Sequence, residues 1–440
     1  MRILIAVHGF PPTHSAGAER RAERMAHWFI ANGHDVEVFA IEKLDEPGFR
    51  VESTYQDGML IHRLFYDVSE GDDPFRNLYD YAPLGAALRE ILKRQRFDLV
   101  HIVSGYLLGG QVVEAAHDFG LPVVLTLTEY WFMCARLNLI QATNKLCAGP
   151  ERNEKCTRCL MEYKRRYRIP SQATPKLMDF VWSLMHLTPV TSAMSQAVDR
   201  RQFVLREALD AVDLVICPSQ YLIDKFSEFG FNTERYLFVR QGLATPANSR
   251  PNRERQPGEP LRIGYVGQIK PHKGVDLLIE AVIGLLQQGQ PVSLNLWGTE
   301  TEAPEYVATL KKLSAAYSAI RWNGRYLGPK VWEVLADFDA LVIPSRWYEN
   351  SPNAILEAFE MRIPVVATRL GGMAELVEHE KSGLLFELDN AADLRVQLQR
   401  LVTEPDLLNQ LRSGIPPVKT IHEEMQEILV QYHHLLQRTF

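Results

Sequence analysis

Two carboxylates and a lysine carry the clearest chemistry in these 440 residues. Glu349 and Glu357 stand in the run Pro344-Ser345-Arg346-Trp347-Tyr348-Glu349-Asn350-Ser351-Pro352-Asn353-Ala354-Ile355-Leu356-Glu357. Carboxylates accept hydrogen bonds from hydroxyl groups, so a pair of them suits a polyhydroxyl ligand. The aliphatic stretch Ala340 to Ile343 just before reads as a buried strand, which sets the loop at the carboxyl edge of a sheet. Pro352 fits the first position of a helix, with Asn350 or Ser351 as its cap. Such a loop and helix start offer free backbone N–H groups to an anion. Glu357 then lies about two turns beyond Glu349. On spacing alone, two surface glutamates beside a capped helix read the same way.

A second cluster is Gly264-Tyr265-Val266-Gly267-Gln268-Ile269-Lys270-Pro271-His272-Lys273-Gly274. A strand ends in a glycine-bearing loop, and Lys273 sits just before a helix opening Val275-Asp276-Leu277. Gly267 lets backbone approach a ligand closely, and a lysine beside a helix start suits a diphosphate. The loop matches neither the Walker pattern nor the dinucleotide glycine pattern, so its weight comes from its neighbourhood. A third cluster is Cys134, Cys147, Cys156 and Cys159, four of the chain's five cysteines, closing with Cys-x-x-Cys. Four thiolates at such spacing predict a structural zinc site, with Gly149 and Pro150 turning the chain between ligands. Cys217, inside a strand-like run, reads as a small core residue, and so does His101 on its own strand. Asp337-Phe338-Asp339 invites a metal reading, but Asp339 leads directly into the buried strand, which predicts a structural role.

These residues need a scaffold, and the rest of the chain predicts one. Arg2 to Val7 and Asp35 to Ala40 read as strands around a helix with Ala22, Met25, Ala26, Phe29 and Ile30 on one face. Further strands are predicted at 97–103, 122–127, 213–217 and 236–239, then at 261–266, 292–297, 320–323, 340–343 and 364–367. Alternating strands and helices give an α/β fold with open parallel sheets. The proline-rich, apolar-poor stretch 246–260 predicts an exposed linker between two such domains, residues 1–245 and 261–420. Residues 134–195 break the rhythm and predict an insertion. It holds Lys164-Arg165-Arg166-Tyr167-Arg168 ahead of the aromatic stretch Met178 to Met185, a pattern that is usually a solvated turn and a packed helix and that also suits contact with an anionic membrane. Ile421 to Leu436 has helical apolar spacing. A net charge of −6 argues against bulk nucleic-acid binding. No apolar run approaches ~18 residues and no export signal opens the chain, so a cytoplasmic protein, or one peripheral to the inner membrane face, is expected.

In combination the motifs resemble the family 4 retaining glycosyltransferases, enzymes of GT-B architecture. The resemblance rests on Gly267-Gln268-Ile269, Lys273-Gly274, Gly298, Glu349, Glu357-Ala358 and Gly371-Gly372 with Glu375, in that order. Pro11-Pro12, Ala16-Gly17-Ala18-Glu19, Gly33-His34, Asp213, Pro218-Ser219 and Gln241-Gly242 extend it to the first domain. It implies two Rossmann-like domains facing across a cleft, with the helix at 421–440 crossing back to the first. It also implies a nucleoside diphosphate sugar as donor and a glycan, lipid-linked or small-molecule acceptor. Glu357 would bind the ribose hydroxyls and Glu349 the sugar near the reacting carbon, while Lys273 neutralises the leaving diphosphate. The amides after Asn350, through Ser351 and Asn353, would hold sugar and phosphate, and Gly17 would admit the phosphates to the first-domain loop. No metal or other cofactor would be required for catalysis, because fixed cations and N–H groups stabilise the departing charge. Two positions depart from the family. Gln268 stands where arginine is frequent, a loss of about 1.5–3 kcal/mol if the bond is not replaced, with Lys270 as a candidate substitute. Thr128-Glu129 stands where histidine and aspartate are frequent, which leaves Glu129 as the polar acceptor-side group. A nucleotide-sugar epimerase and a non-catalytic binding protein on the same scaffold are the competing readings.

Overall fold

The computed structural model describes residues 1–14, 16–44, 48–185, 188–244, 255–256, 258–325 and 330–438. Residues 246–254 and 257 of the expected linker lie outside them. The chain forms two compact units, Met1–Arg240 with Ile421–Phe440, and Gln241–Thr420.

Among the described residues of the first unit, eight strands form one sheet: β1 (Arg2–Val7), β2 (Asp35–Lys43), β3 (Phe49–Gln56), β4 (Met59–Tyr66), β5 (Leu99–Val103), β6 (Val123–Thr126), β7 (Leu214–Cys217) and β8 (Tyr236–Phe238). Their order is β3-β4-β2-β1-β5-β6-β7-β8. Ile3 to Val7 and all of β5 are buried, as strands covered by helices on both faces must be. The sheet is parallel except at its edge, where β3 runs antiparallel to β4. That departs from the all-parallel expectation. The cause is local: Asp57 and Gly58 both adopt positive φ, 50° and 82°, the two-residue turn that Asp-Gly favours. Helix Ile421–Arg438 adds Met425, Ile428 and Tyr432 to this unit's core. Tyr432 stacks on Phe29 at 5.4 Å, and Glu424 pairs with the buried Arg21 of helix Gly17–Ala31.

The second unit holds β9 (Leu261–Val266), β10 (Val292–Trp297), β11 (Ile320–Trp322), β12 (Ala340–Ile343), β13 (Val365–Thr368) and β14 (Gly383–Phe386), all parallel, in the order β11-β10-β9-β12-β13-β14. The strand order reverses between β9 and β12, so the loops leaving those two strands diverge and open a crevice at the carboxyl edge. One core packs Val275, Leu278 and Val282 against one face of the sheet, and another packs Ile355, Phe359 and Met373 against the other. Among the described residues no helix is long and apolar enough to cross a membrane.

Candidate active site

The two loops at the second crevice are the two clusters singled out in the sequence. After β9 the chain passes through Gly267 to a single turn of 3-10 helix, Pro271–Lys273, and helix Val275–Gln287 follows. Gly274 joins them at φ 70°, and a Cβ there would stand 1.9 Å from the Pro344 carbonyl oxygen. Only glycine lets the two loops pass this closely. After β12 the loop brings Glu349 to Lys273: Nζ lies 2.6 Å from Oε1. The Ser345 hydroxyl donates to the same Oε1 at 2.8 Å, and the ammonium sits 4.9 Å from the centre of the Trp347 ring. Both side chains are largely buried yet keep some access, 19% for Lys273 and 11% for Glu349.

A clamp holds this arrangement. Arg346 donates to both oxygens of Asp276, at 2.6 and 2.7 Å, and to the Pro271 carbonyl at 3.0 Å. The Tyr306 hydroxyl donates to Asp276 as well, at 2.6 Å. Burial alone would raise the Asp276 carboxyl, but these donors hold it below the usual carboxylate range. His272 is driven to about 4 by burial and by the Lys273 charge beside it, so it is neutral at pH 7. Its carbonyl accepts from Arg346 N–H at 2.8 Å. Sequence reasoning named none of Asp276, Ser345, Arg346 or Trp347 as site residues: the Arg346–Asp276 pairing is made by the fold across 70 positions, and only Ser345 reaches a near neighbour, Glu349.

The loop ends differently from expectation. Helix Asn353–Glu360 starts one residue late, with Pro352 outside it at φ −65° and ψ 118°, and no side chain caps it. Extended backbone at Pro352 takes Asn350 and Ser351 out of capping position. The Ser351 hydroxyl is buried with no partner among the described residues, and Asn350 is buried too. Asn353 accepts a hydrogen bond from the Gln241 amide. Glu357 lies in the second turn of this helix, partly exposed. Gly371 and Gly372 start the next helix, and Gly372 N–H donates to the Glu349 carbonyl at 2.7 Å. Gln268 and Lys270 both reach Glu302, Gln268 at 3.4 Å. Lys270 is thus paired with a carboxylate, as Lys273 is with Glu349.

The first unit has its own crevice where β1 and β5 diverge. Gly17 opens helix Gly17–Ala31, and a Cβ there would meet nothing within 4 Å. Glu129, after β6, accepts from the Ser104 hydroxyl at 2.7 Å and from Trp131 N–H at 2.5 Å. Ser104 has the left-handed φ of 67° at the end of β5. Burial raises the Glu129 carboxyl above its ordinary range, against those donors. His8 follows β1, with Nε2 3.4 Å from Glu19 Oε1. Glu19 Oε2 and His8 Nδ1 are buried without partners among the described residues. Neither was expected as a site residue; the signal, a histidine at a strand end with a glutamate in the first turn of the next helix, was present. His101 is a core histidine, bonded to Thr126 at 2.7 Å and to the Tyr432 hydroxyl. Asp339 is likewise structural, held by Arg262 at 2.9 and 3.1 Å.

The structure does not support the zinc expectation. Cys134, Cys147, Cys156 and Cys159 line one cavity of about 40 Å³ with Met133, Leu139, Ile140 and Leu160. Yet among the described residues no three histidine, cysteine, aspartate or glutamate side chains are grouped so as to hold a metal ion. The apolar surroundings and the neighbouring thiols push Cys156 to about 12, and burial pushes Cys159 to about 11, so without a metal both are protonated thiols. The four thiols share one apolar wall.

Residues 260–404 match the family described as glycosyl transferases group 1, and residues 16–148 match the glycosyl transferase 4-like domain. A D-inositol 3-phosphate glycosyltransferase of Corynebacterium jeikeium is 29% identical over 229 residues, 48% of this chain and 54% of that one. The chain spans about half the length, or less, of the first curated relatives it matches. A glycosyltransferase from Rickettsia africae superposes with a TM-score of 0.66 at 14% identity, covering 99% of this chain and 98% of that one. HepE of Anabaena, crystallised with UDP and glucose, does so at 0.62 and 16%, covering 98% and 99%. Two Rossmann-like parallel-sheet units, each with a switch-point crevice, define the GT-B architecture. The chain thus carries a group 1 glycosyl transferase domain and a glycosyl transferase 4-like domain.

Proposed function

We propose that this chain is a retaining glycosyltransferase. It would move a hexose-type sugar from a nucleoside diphosphate sugar to a glycan, lipid-linked or small-molecule acceptor in surface polysaccharide or glycoconjugate synthesis. The observation that carries the reading is the Lys273–Glu349 pair at the second crevice. A cation that neutralises a diphosphate and a carboxylate that accepts from sugar hydroxyls stand within one ligand's reach. As the bond between the anomeric carbon and the diphosphate breaks, negative charge grows on the leaving oxygen. Lys273 and the loop N–H groups after Asn350 stabilise it, with no metal called on for that step. Glu357 binds the ribose, Gly267 and Gln268 border the nucleotide, and Gly17 leaves room for phosphate on the first-unit loop. Glu129, its carboxyl raised by burial, is the polar group on the acceptor side. UDP, bound by the Anabaena protein, is the first nucleotide to try.

The test is a thermal-shift panel of UDP, GDP, ADP, dTDP and their sugars, followed by nucleoside diphosphate release on any hit. A shift with one nucleotide and slow release supports the transferase and names its donor. Isomerised sugar from donor alone would point to an epimerase, and binding without turnover on any acceptor to a binding protein. In the same assay Glu349→Ala lowers turnover by about 100-fold or more while nucleotide affinity is retained. An unchanged rate removes Glu349 from the chemistry.

A further inference from the structure

Helix Pro175–Met185 reverses the usual pattern of a surface helix. Trp182 is its buried side chain, whereas Leu177, Phe180 and Leu184 are 60%, 62% and 56% exposed. Spaced by three and four positions, with Val181 half-buried beside them, they form one apolar stripe turned to solvent. Helix Arg165–Ala173 packs against it through Tyr167, whose ring lies 5.7 Å from that of Trp182. The inner side of this hairpin is fixed to helix Asn153–Met161 and the residue after it. Arg158 donates to Asp179 at 2.6 Å and lies over the Trp182 ring, and the Ser171 hydroxyl donates to Glu162 at 2.7 Å. The stripe therefore faces outward because its opposite side is anchored, and Ile169 is exposed next to it.

Charge says what covers it. From Lys164 to Met185 the hairpin carries Lys164, Arg165, Arg166, Arg168 and Lys176 against the single acid Asp179, in a chain whose net charge is −6. Asp179 is itself paired with Arg158. Lys164, Arg165, Arg166 and Lys176 are exposed. An apolar stripe flanked by cations matches a lipid surface with negative headgroups, which takes up side chains and counter-charges together. We propose that the hairpin docks on an anionic bilayer, with Leu177, Phe180 and Leu184 in the boundary between headgroups and acyl chains and the basic residues on the headgroups. This reading stands apart from the transferase assignment, since it uses none of the residues at either crevice.

The experiment is co-sedimentation of the full chain with vesicles of phosphatidylcholine alone and of phosphatidylcholine with 30 mol% phosphatidylglycerol, at about 0.1 and 0.5 M salt, where screening lengths differ more than twofold. Wild type is expected to bind the anionic vesicles at least tenfold better than the neutral ones, and less well in high salt. The triple variant Leu177→Ser/Phe180→Ser/Leu184→Ser and the charge variant Arg165→Glu/Arg166→Glu should each lose at least tenfold. Circular dichroism and nucleotide thermal shifts serve as folding controls. As a second readout, Phe180→Trp should show blue-shifted emission with anionic vesicles. Failure of wild type to bind, equal binding by folded variants, or a dimer in sedimentation that the triple variant abolishes would each overturn the proposal.

Discussion

Lys273 and Glu349 are each other's counter-ion, so in the proposed reaction a diphosphate would displace one charged partner to gain the other. The ammonium would keep an anionic partner, and the freed carboxylate would meet sugar hydroxyls. Lys273→Ala should therefore weaken nucleoside diphosphate binding about 10- to 100-fold, the worth of one charge-assisted contact, which isothermal titration will read directly. Undiminished affinity would move the diphosphate elsewhere. His272 gives the same site a pH signature. Its folded value of about 4 lies below the ordinary 6.5, so the stability it contributes is present above 6.5 and is lost as pH falls towards 4. Against a His272→Gln variant, wild type should lose about 2 kcal/mol more between pH 7 and pH 5, measured by urea unfolding.

At the level of elements, positions are decided where loops cross. The Gly274 turn and the Pro344 carbonyl touch because β9 and β12 are neighbours, so one added methyl group acts on both clusters at once. Gly274→Ala should cost about 2 kcal/mol or more, from left-handed strain and the contact, and should lower nucleotide affinity along with the denaturation midpoint. Loss of stability with affinity intact would separate the turn from the site. The sequence already placed Lys273 and Glu349 on loops at strand ends, since aliphatic runs and the residues that break them are local signals. Strand β14 and the β3–β4 hairpin went unread, although Asp57-Gly58 was a sufficient cue for the latter. The Arg346–Asp276 clamp left no trace, because nothing in either segment marks a partner so distant. Cysteine spacing alone decides little for a related reason: thiols gathered by a common apolar wall are as close in sequence as thiols gathered by a metal.

At the scale of the whole molecule, the first unit is discontinuous. Its core takes Tyr432 against Phe29 and His101, and Glu424 against Arg21, from a helix that lies beyond the second unit in the chain. Taking the carboxylate partner from the buried Arg21 is costly, so Glu424→Ala should destabilise this unit by about 3–5 kcal/mol. The double variant Arg21→Met/Glu424→Leu should recover most of that, and chemical denaturation of the three chains decides it. The same discontinuity bears on how the protein is made. The ribosome releases all of Gln241–Thr420 before the helix that seals the first core. At ~5–20 residues/s the delay is roughly 10–40 s. Throughout that interval the nascent first unit leaves the apolar surface around Phe29 uncovered, with Arg21 short of its Glu424 partner. The second unit, contiguous along the chain, has every contact it needs as soon as it emerges, so the half synthesised later is the half that can finish folding first.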